Sequence, residues 1–345
     1  MGIHDSETPE IPEIPEISEI PANSEIPDIE GLAAVARGEL VREIDAEGVW
    51  AAEPVWREAF EAVPRHLFVP YYYVARARGY ERRWGESADP GDRERWVRGA
   101  YEDVPLATRL RDGQLLSSSS QPSLMARMLV ALRVADGDRV LEIGAGTGYN
   151  AALLAHRLGD DDLVTTVDVD PEITESARLH LAAAGHRPAV VTGDGARGVP
   201  ERAPFDRIIA TCALPGVPRA WVAQCVAGAR ILAPVATGLL ALAVRGGGCA
   251  EGRFLPSAAF FVPLRGVERA APGDVGGVPS WALEDELFRF LMELTQGVLS
   301  PREAYEVWKR AGMPGRERYG VTVEGDGEWA WLDDREGPWV WPLPV

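Results

Sequence analysis

From Gly31 to about Ala62 apolar residues recur at helical spacing: Leu32, Val35, Leu40, Ile44 and Val49, then Val55, Ala59 and Phe60. The spacing predicts helices whose apolar stripe faces a core. VPRHLFVP (63–70) follows, and its two prolines break helix and favour extended backbone. Residues 74–99 are rich in Arg and Glu, with Trp84 and Trp96 among them, and read as a polar insertion.

From Asp138 the rhythm changes. RVLEIGAG reads as a buried strand ending in glycines, and YNAALLAHRL as the helix after it. DLVTTVDVD predicts a strand, PEITESARLHLAAAG a helix, PAVVTGDG a strand and FDRIIATCA another. Strand and helix in alternation predict an α/β fold with a doubly wound, mostly parallel sheet and a ligand at the carboxyl ends of its strands. Beyond about Arg265 the alternation stops. WALEDELFRFLMELTQ predicts helix, and SPREAYEVWKRAG a second one, with Ser300 as N-cap, Pro301 at the first helical position and Glu303 closing a capping box. YGVTVEGDGEWAWLDD predicts a β-hairpin across a glycine-containing turn. The last stretch is therefore expected to be a separate, small α+β module. The predicted organisation is an acidic tail (1–30), a helical N-terminal region (31–116) carrying the insertion 74–99, a core (117–265) and an accessory module (266–345).

Charge sharpens the picture at one end. Half of the net charge of −18 lies in residues 1–30, which hold nine acids and no Lys or Arg. There an E-I-P unit repeats, and its recurring prolines with like charges alongside predict an extended, disordered, solvated tail. Neither part of the chain offers the basic groove that a phosphate backbone requires, so nucleic acid is excluded as substrate. Three widely spaced cysteines (Cys212, Cys225, Cys249) suit neither a metal site nor a disulfide framework. The start MGIHDSETPE lacks the basic and apolar regions of a secretory signal, and no apolar run is long enough to span a bilayer. A cytoplasmic monomer without metal or membrane partner is expected.

The candidate chemistry sits at the strand ends. E-I-G-A-G-T-G (142–148) joins a strand to a helix, where small residues let backbone N–H groups and the helix start approach a ligand. A dinucleotide fingerprint would need glycine at 149, where Tyr149 stands. The leading acid Glu142, with Gly144, Ala145, Gly146, Thr147 and Gly148, fits S-adenosylmethionine better, because its cationic sulfonium and aminoacyl group carry no pyrophosphate. Asp168, followed by Val169, ends the next strand and is placed for the ribose hydroxyls. Asp194, followed by Gly195, ends the third and is placed for the adenine amino group. Ahead of this loop stands LLSSSSQPSLMA (115–126), with Ser117, Ser118, Ser119 and Ser120 in a row before Gln121 and Pro122. A serine run commonly reads as linker. A serine hydrolase is excluded, since there is no G-x-S-x-G elbow and no histidine at a triad position. His66, His156, His180 and His186 read as packing or surface residues, and Cys212 as a small core residue.

VPRHLFVP, AYEDVPL, SQPSLMARML, VLEIGAGTGYNAALLA, VTGDG, APFDRIIATCALPGVP and FFVPLRG together resemble the protein-L-isoaspartate O-methyltransferase family, from about Val63 to Arg265. The resemblance implies a Rossmann-like methyltransferase using S-adenosyl-L-methionine and releasing S-adenosyl-L-homocysteine. It implies that Ser120 lies beside the substrate carboxylate, with Ser119 and Ser118 as further catalytic hydroxyls and Ser117 and Gln121 on the substrate side. It also implies cofactor contacts at Glu142 to Gly148, Asp168, Val169, Asp194 and Gly195. Four features depart from the family: Ser119 replaces a customary apolar residue, CVAGARIL (225–232) replaces an L-K-P-G-G-R-L turn, and the insertion 74–99 and the stretch after 266 have no place in its compact repair enzymes.

SSSSQPS and the closing RYGVTV…WAWLDD…GPWVWPLP are similar to the branch found with lanthipeptide and related ribosomal-peptide (graspetide) pathways. That branch implies methylation of an aspartate in a cyclised ribosomal peptide, then succinimide (aspartimide) and isoaspartate. Trp329 and Trp331, alternating on one hairpin face, are candidates for an aromatic wall against the macrocycle or for packing of the module itself. Two other readings stay open: a general isoaspartyl repair methyltransferase, and a non-catalytic cofactor-binding scaffold.

Overall fold

The structure, a computed structural model, describes residues 28–77, 79–111, 114–265 and 274–343. The acidic tail to Pro27 and the segment 266–273 lie outside the described residues. The elements run, in order, α1 (Ile29–Ala46), α2 (Val55–Ala62), β1 (Tyr71–Arg76), β2 (Gly79–Trp84), α3 (Pro90–Ala100), β3 (Leu106–Arg111), β4 (Gln114–Ser119) and α4 (Pro122–Leu132). Next come β5 (Val140–Ile143), α5 (Tyr149–Leu158), β6 (Val164–Asp168), α6 (Pro171–Ala183), β7 (Ala189–Thr192), β8 (Phe205–Ala210), α7 (Arg219–Ala223), β9 (Cys225–Val235), β10 (Gly238–Gly246) and β11 (Cys249–Ala258). Last are α8 (Ser280–Glu284), α9 (Glu286–Leu294), α10 (Pro301–Arg310), β12 (Tyr319–Glu324), β13 (Gly327–Leu332) and β14 (Val340–Pro342).

The central sheet has the order β14-β13-β12-β11-β10-β9-β8-β5-β6-β7. β9, β8, β5, β6 and β7 are parallel, and pairing from β9 to β14 is antiparallel. The chain winds outward from β5 to β7, then returns to lay β8 on the other side of β5. The carboxyl end of β5 is thus the switch point where a cleft opens. β5 and β6 are buried along their whole length because helices cover both faces. One core gathers α1, α2, α3, α4 and α5 over one face, and the other gathers Trp221, α9, α10 and the β12–β13 hairpin over the opposite face.

Two expectations about organisation change. The polar stretch 74–99 is not a solvated insertion: β1 and β2 pair along six residues, and with β3 and β4 they form a second, antiparallel sheet in the order β2-β1-β3-β4. Trp96 is buried and donates from Nε1 to Val69 O at 2.8 Å, anchoring α3 beneath that sheet. The residues after Arg265 do not form a module with its own sheet. β12 pairs with β11 at four positions, so the hairpin prolongs the central sheet, and Tyr319, Val321 and Val323 bury against α9 and its neighbours. A sheet edge offers unpaired backbone donors and acceptors, and the hairpin satisfies them. The helices behind it match their sequence signals. Ser300 and Glu303 form the reciprocal capping box, and the helical run before them is split at Asp285, whose carboxylate accepts from Leu287 N and Phe288 N to start α9.

Candidate active site

The serine run is strand, not linker. β4 carries Ser117–Ser119 and pairs with β3, Leu106 opposite Ser119 and Ala107 opposite Ser118. Alternation turns Ser117 and Ser119 inward, where they are buried, and leaves Ser118 and Ser120 half-buried. Ser117 Oγ accepts from Thr108 Oγ1 at 3.2 Å. The hydroxyls of Ser118 and Ser120 bond to no other described residue.

Directly after Ser120 the chain turns into α4, with Pro122 at its first position. Asp103 caps this start: Oδ1 accepts from Ser123 N at 2.7 Å and Oδ2 from Gln121 Nε2 at 2.9 Å. Gln121 is thereby held away from the cleft that the four serines line. Beneath the serines lies Arg65, fully buried, from VPRHLFVP. It donates to Ala100 O (2.7 Å), Glu102 O (3.2 Å), Val104 O (3.4 Å), Ser119 Oγ (3.4 Å) and Ser120 O (3.1 Å). Burial pulls this guanidinium down to about 10, and it pairs with no carboxylate among the described residues. Its sequence signal is an arginine set between the two prolines of VPRHLFVP.

The serines face the glycine loop across one cleft. Its lining includes Ser117 to Ser120, Glu142, Gly144, Ala145, Gly146, Thr147, Asn150, Asp168, Val169, Gly195, Thr211 and Val262–Arg265. Gly144 and Gly146 have φ of +99° and +50°, which L side chains rarely adopt. A Cβ on Gly144 would lie 2.8 Å from Thr211 Oγ1. Gly148, the N-cap of α5, stands behind this surface against Leu181. His180, half-buried on α6, shares a hydrogen bond from Nδ1 with Thr147 O at 3.0 Å and supports the loop. The described histidines do structural work: His66 pairs with Tyr101 Oη and His186 with Asp161. Cys212 lies on the cleft wall, but burial pushes its thiol up to about 12, so it stays protonated.

Two acids set the charge of the cleft. Glu142 is buried, accepting from Asn150 Nδ2 at 2.8 Å and Thr166 Oγ1 at 2.6 Å. Asp168 accepts from Asp170 N (3.1 Å) and Gly146 N (3.5 Å), and pairs closely with Arg265, which also reaches Asp170 at 3.2 Å. Arg265 and Asn150 carried no signal in sequence, because long-range pairing alone brings them here; Thr166 shows only as a polar residue inside a buried strand. Asp194 does not line the cleft: its carboxylate caps the next turn through Ala196 N at 3.0 Å, and its neighbour Gly195 is on the lining instead. Trp329 and Trp331 are elsewhere. β13 is six strand positions from β5, roughly 29 Å at the usual strand spacing. Trp331 is buried, donating to Thr322 Oγ1 at 3.0 Å beneath Arg253, and Trp329 is partly exposed. Neither forms a wall of this cleft.

Burial pushes the Glu142 carboxyl up to about 7, against the pull of its Thr166 and Asn150 donors; the nearby Asp168 charge adds to the rise. The folded chain therefore holds a proton that the unfolded chain releases in the ordinary carboxylate range. The stability linked to Glu142 is full below that range and is lost as pH rises through about 7. A cation bound beside the carboxylate favours the ionised form. Melting curves should show a larger stabilisation by S-adenosylmethionine at pH 8 than at pH 5.5, with Glu142→Gln removing the difference. Equal stabilisation at both pH values in the wild type would refute the assignment.

The fold, the glycine loop and the paired acids define an S-adenosyl-L-methionine-dependent methyltransferase. The cleft fits that cofactor on its own chemistry. It has anionic Asp168, a titrating Glu142, glycine backbone open to close approach, and a buried Asn150 Oδ1 without a partner among the described residues, an acceptor for an ammonium group. The protein-L-isoaspartate(D-aspartate) O-methyltransferase family matches residues 87–266, and the chain belongs to that family. It is 37% identical over 198 residues to the protein-L-isoaspartate O-methyltransferase of Ignicoccus hospitalis, covering 57% of this chain and 80% of the relative. Against the enzyme of the same name from Aeropyrum pernix it is 36% identical over 204 residues, covering 59% and 67%.

A solved structure described as a protein-L-isoaspartate O-methyltransferase shares the fold, with a TM-score of 0.59 at 22% identity over 86% of this chain and all of the other. A second, from Plasmodium falciparum and described in complex with S-adenosyl-L-homocysteine, gives 0.50 at 13% identity over 66% and 97%. The protein is thus an O-methyltransferase, and the scaffold reading falls. None of these names points to ribosomal-peptide tailoring. Among the described residues no helix is long and apolar enough to cross a membrane, and no group of three or more His, Cys, Asp or Glu is placed to hold a metal.

Proposed function

We propose that this protein methyl-esterifies the free carboxylate of isoaspartyl residues in peptides and proteins, the first step of their conversion back through succinimide. The observation that carries this reading is the meeting of Ser118 and Ser120, with free hydroxyls, and the acid-flanked glycine loop in one cleft. The names of the relatives support the substrate class.

S-adenosyl-L-methionine supplies an electrophilic methyl group. The chain's own work is to bind, orient and exclude water. A carboxylate is ionised at neutral pH, so no general base is needed. Each of Ser118 and Ser120 has one O–H to donate to a carboxylate oxygen, which aligns it without quenching it as a charged donor would. Ser119 Oγ accepts from Arg65, so its own proton points away from the guanidinium and is free to donate as well. Glu142, Asp168 and the 144–147 backbone would hold the cofactor, with Asp168 toward the ribose and Gly195 beside the base. After esterification the following backbone nitrogen attacks the ester carbon, methanol leaves and the five-membered imide closes; this needs only a flexible substrate backbone.

A second reading, methylation of an ordinary aspartate in a cyclised ribosomal peptide, is favoured by one observation. The chain adds a hairpin, three helices and a further strand beyond the family match that ends at 266. Mass spectrometry of three reactions separates the two: a linear isoaspartyl peptide, its aspartyl counterpart, and a cyclised peptide containing Asp-Gly. Methyl gain on the isoaspartyl peptide alone supports repair. Methyl gain followed by methanol loss on the cyclic peptide alone would replace it with tailoring.

A further inference from the structure

A second cavity, of about 420 Å³, adjoins the methyl-transfer cleft and shares Ser118 and Ser120 with it. Its other walls are Pro105, Leu115, Leu124, Phe260, Phe261 and Val262–Pro263, with Gln121 at one side, and no charged residue lines it. In a chain this acidic, an uncharged wall beside a site for carboxylates sets a rule for what may enter. Phe260 is 65% exposed and Leu115 41% exposed, a large apolar surface with no cover among the described residues.

The wall is built rather than loose. Residues 260–265 follow β11, and the segment is stapled to the loop after β8, Ala213 N donating to Val262 O and Leu264 N to Ala213 O, both at 2.9 Å. The same short segment therefore offers Phe260 and Phe261 to the second cavity and Leu264 and Arg265 to the first. Leu115 lies on β4, two residues from the serine run, so its position is fixed by the strand pairing that positions Ser117–Ser119.

We infer that this cavity is a specificity subsite for the substrate peptide. It takes a large apolar side chain (Phe, Leu or Ile) borne one or two residues from the residue being methylated. This rests on the peptide-carboxylate reading of Ser118 and Ser120. Continuity settles the occupant: a carboxylate held at Ser118 and Ser120 puts its neighbouring residues at the mouth of this cavity, since one residue spans at most about 3.6 Å. An apolar side chain removes water from Phe260 and Leu115 and leaves no polar group unpaired there, whereas an acidic one would lose hydration without gaining a partner.

The test uses two isoaspartyl peptides of equal length, one flanked by Leu and Phe, the other by Ser and Asp. Methyl transfer is measured as kcat/KM, and binding by fluorescence polarisation with S-adenosyl-L-homocysteine present. Wild type is expected to favour the apolar peptide roughly tenfold or more in both readouts. In Phe260→Ser and in Leu115→Ser the ratio between the peptides should fall below about twofold. Wild type handling both peptides alike, or a preference that survives both substitutions, overturns the subsite. If neither peptide is methylated but the binding preference holds and is lost in the variants, the subsite stands and the isoaspartyl reading falls. Should the substitutions change only the oligomeric state in sedimentation, the patch is an interface between copies and the subsite is refuted.

Discussion

Asp168→Asn is expected to weaken binding of S-adenosylmethionine about 100-fold while leaving the melting temperature of the free protein within a few degrees. The side chain ends β6, and its register is fixed by pairing with Thr192 on β7. Asparagine keeps the volume and one carbonyl acceptor, so the buried neighbours stay packed. What it loses is charge, and hydrogen bonds to charged groups contribute about 1.5–3 kcal/mol each. Two ribose donors weakened together give a loss on the order of 2.7 kcal/mol, which is about 100-fold in affinity.

Arg265 sharpens the experiment, because in the free protein it pairs with the same carboxylate. Arg265→Ala removes that competitor and should leave cofactor affinity unchanged or tighter. Calorimetric titration of both variants checks the pair. An Asp168→Asn protein that binds within threefold of wild type would show that this acid does not hold the ribose.

What could be read from sequence follows from the range of the interactions. The parallel half declares itself locally: VLEI and VTTVD are buried on both faces, so apolar runs bounded by glycine or an N-capping Asp suffice to place β5, α5, β6 and α6. Even there Glu142 and Thr166 break the apolar rule, and the break marks the site, since a buried acid persists only with donors supplied to it. The second sheet was not legible. β2 (GYERRW) is polar on both faces and almost wholly exposed, so no alternation distinguishes it from a solvated helix face.

The C-terminal hairpin was legible as a hairpin, but its docking on β11 was not. Partner choice at a sheet edge is a property of two distant segments, and Trp329 and Trp331 changed meaning with it. The serine run shows the opposite case. Composition suggested linker, the family resemblance suggested a site edge, and register shows how the hydroxyls divide, Ser117 and Ser119 buried and Ser118 and Ser120 half-buried, with all four on the cleft lining.

Arg65 is the residue whose replacement should cost most, and the cost should divide between stability and turnover. Its guanidinium ties the 100–104 loop to the end of β4 through five acceptors, and nothing else described bonds to Ser120 O. Arg65→Met leaves those acceptors without their donor in a dry interior, where one unsatisfied buried group costs about 1–3 kcal/mol. Denaturant titration should show a loss of at least about 3 kcal/mol, since several are orphaned together.

Arg65→Lys is the informative variant. It retains the charge that favours a nearby carboxylate, but a single ammonium cannot fork to both segments. Ser119 and Ser120 then lose their fixed positions while the cofactor cleft, built on β5 and β6, is untouched. The expectation is a folded enzyme with KM for S-adenosylmethionine within twofold of wild type and kcat lowered about 100-fold, the loss that a misplacement near 1 Å can produce. A Lys variant with wild-type kcat would show that the serines hold their geometry without this arginine. A variant that loses cofactor affinity in step with kcat would place Arg65 in general folding rather than in positioning the methyl acceptor.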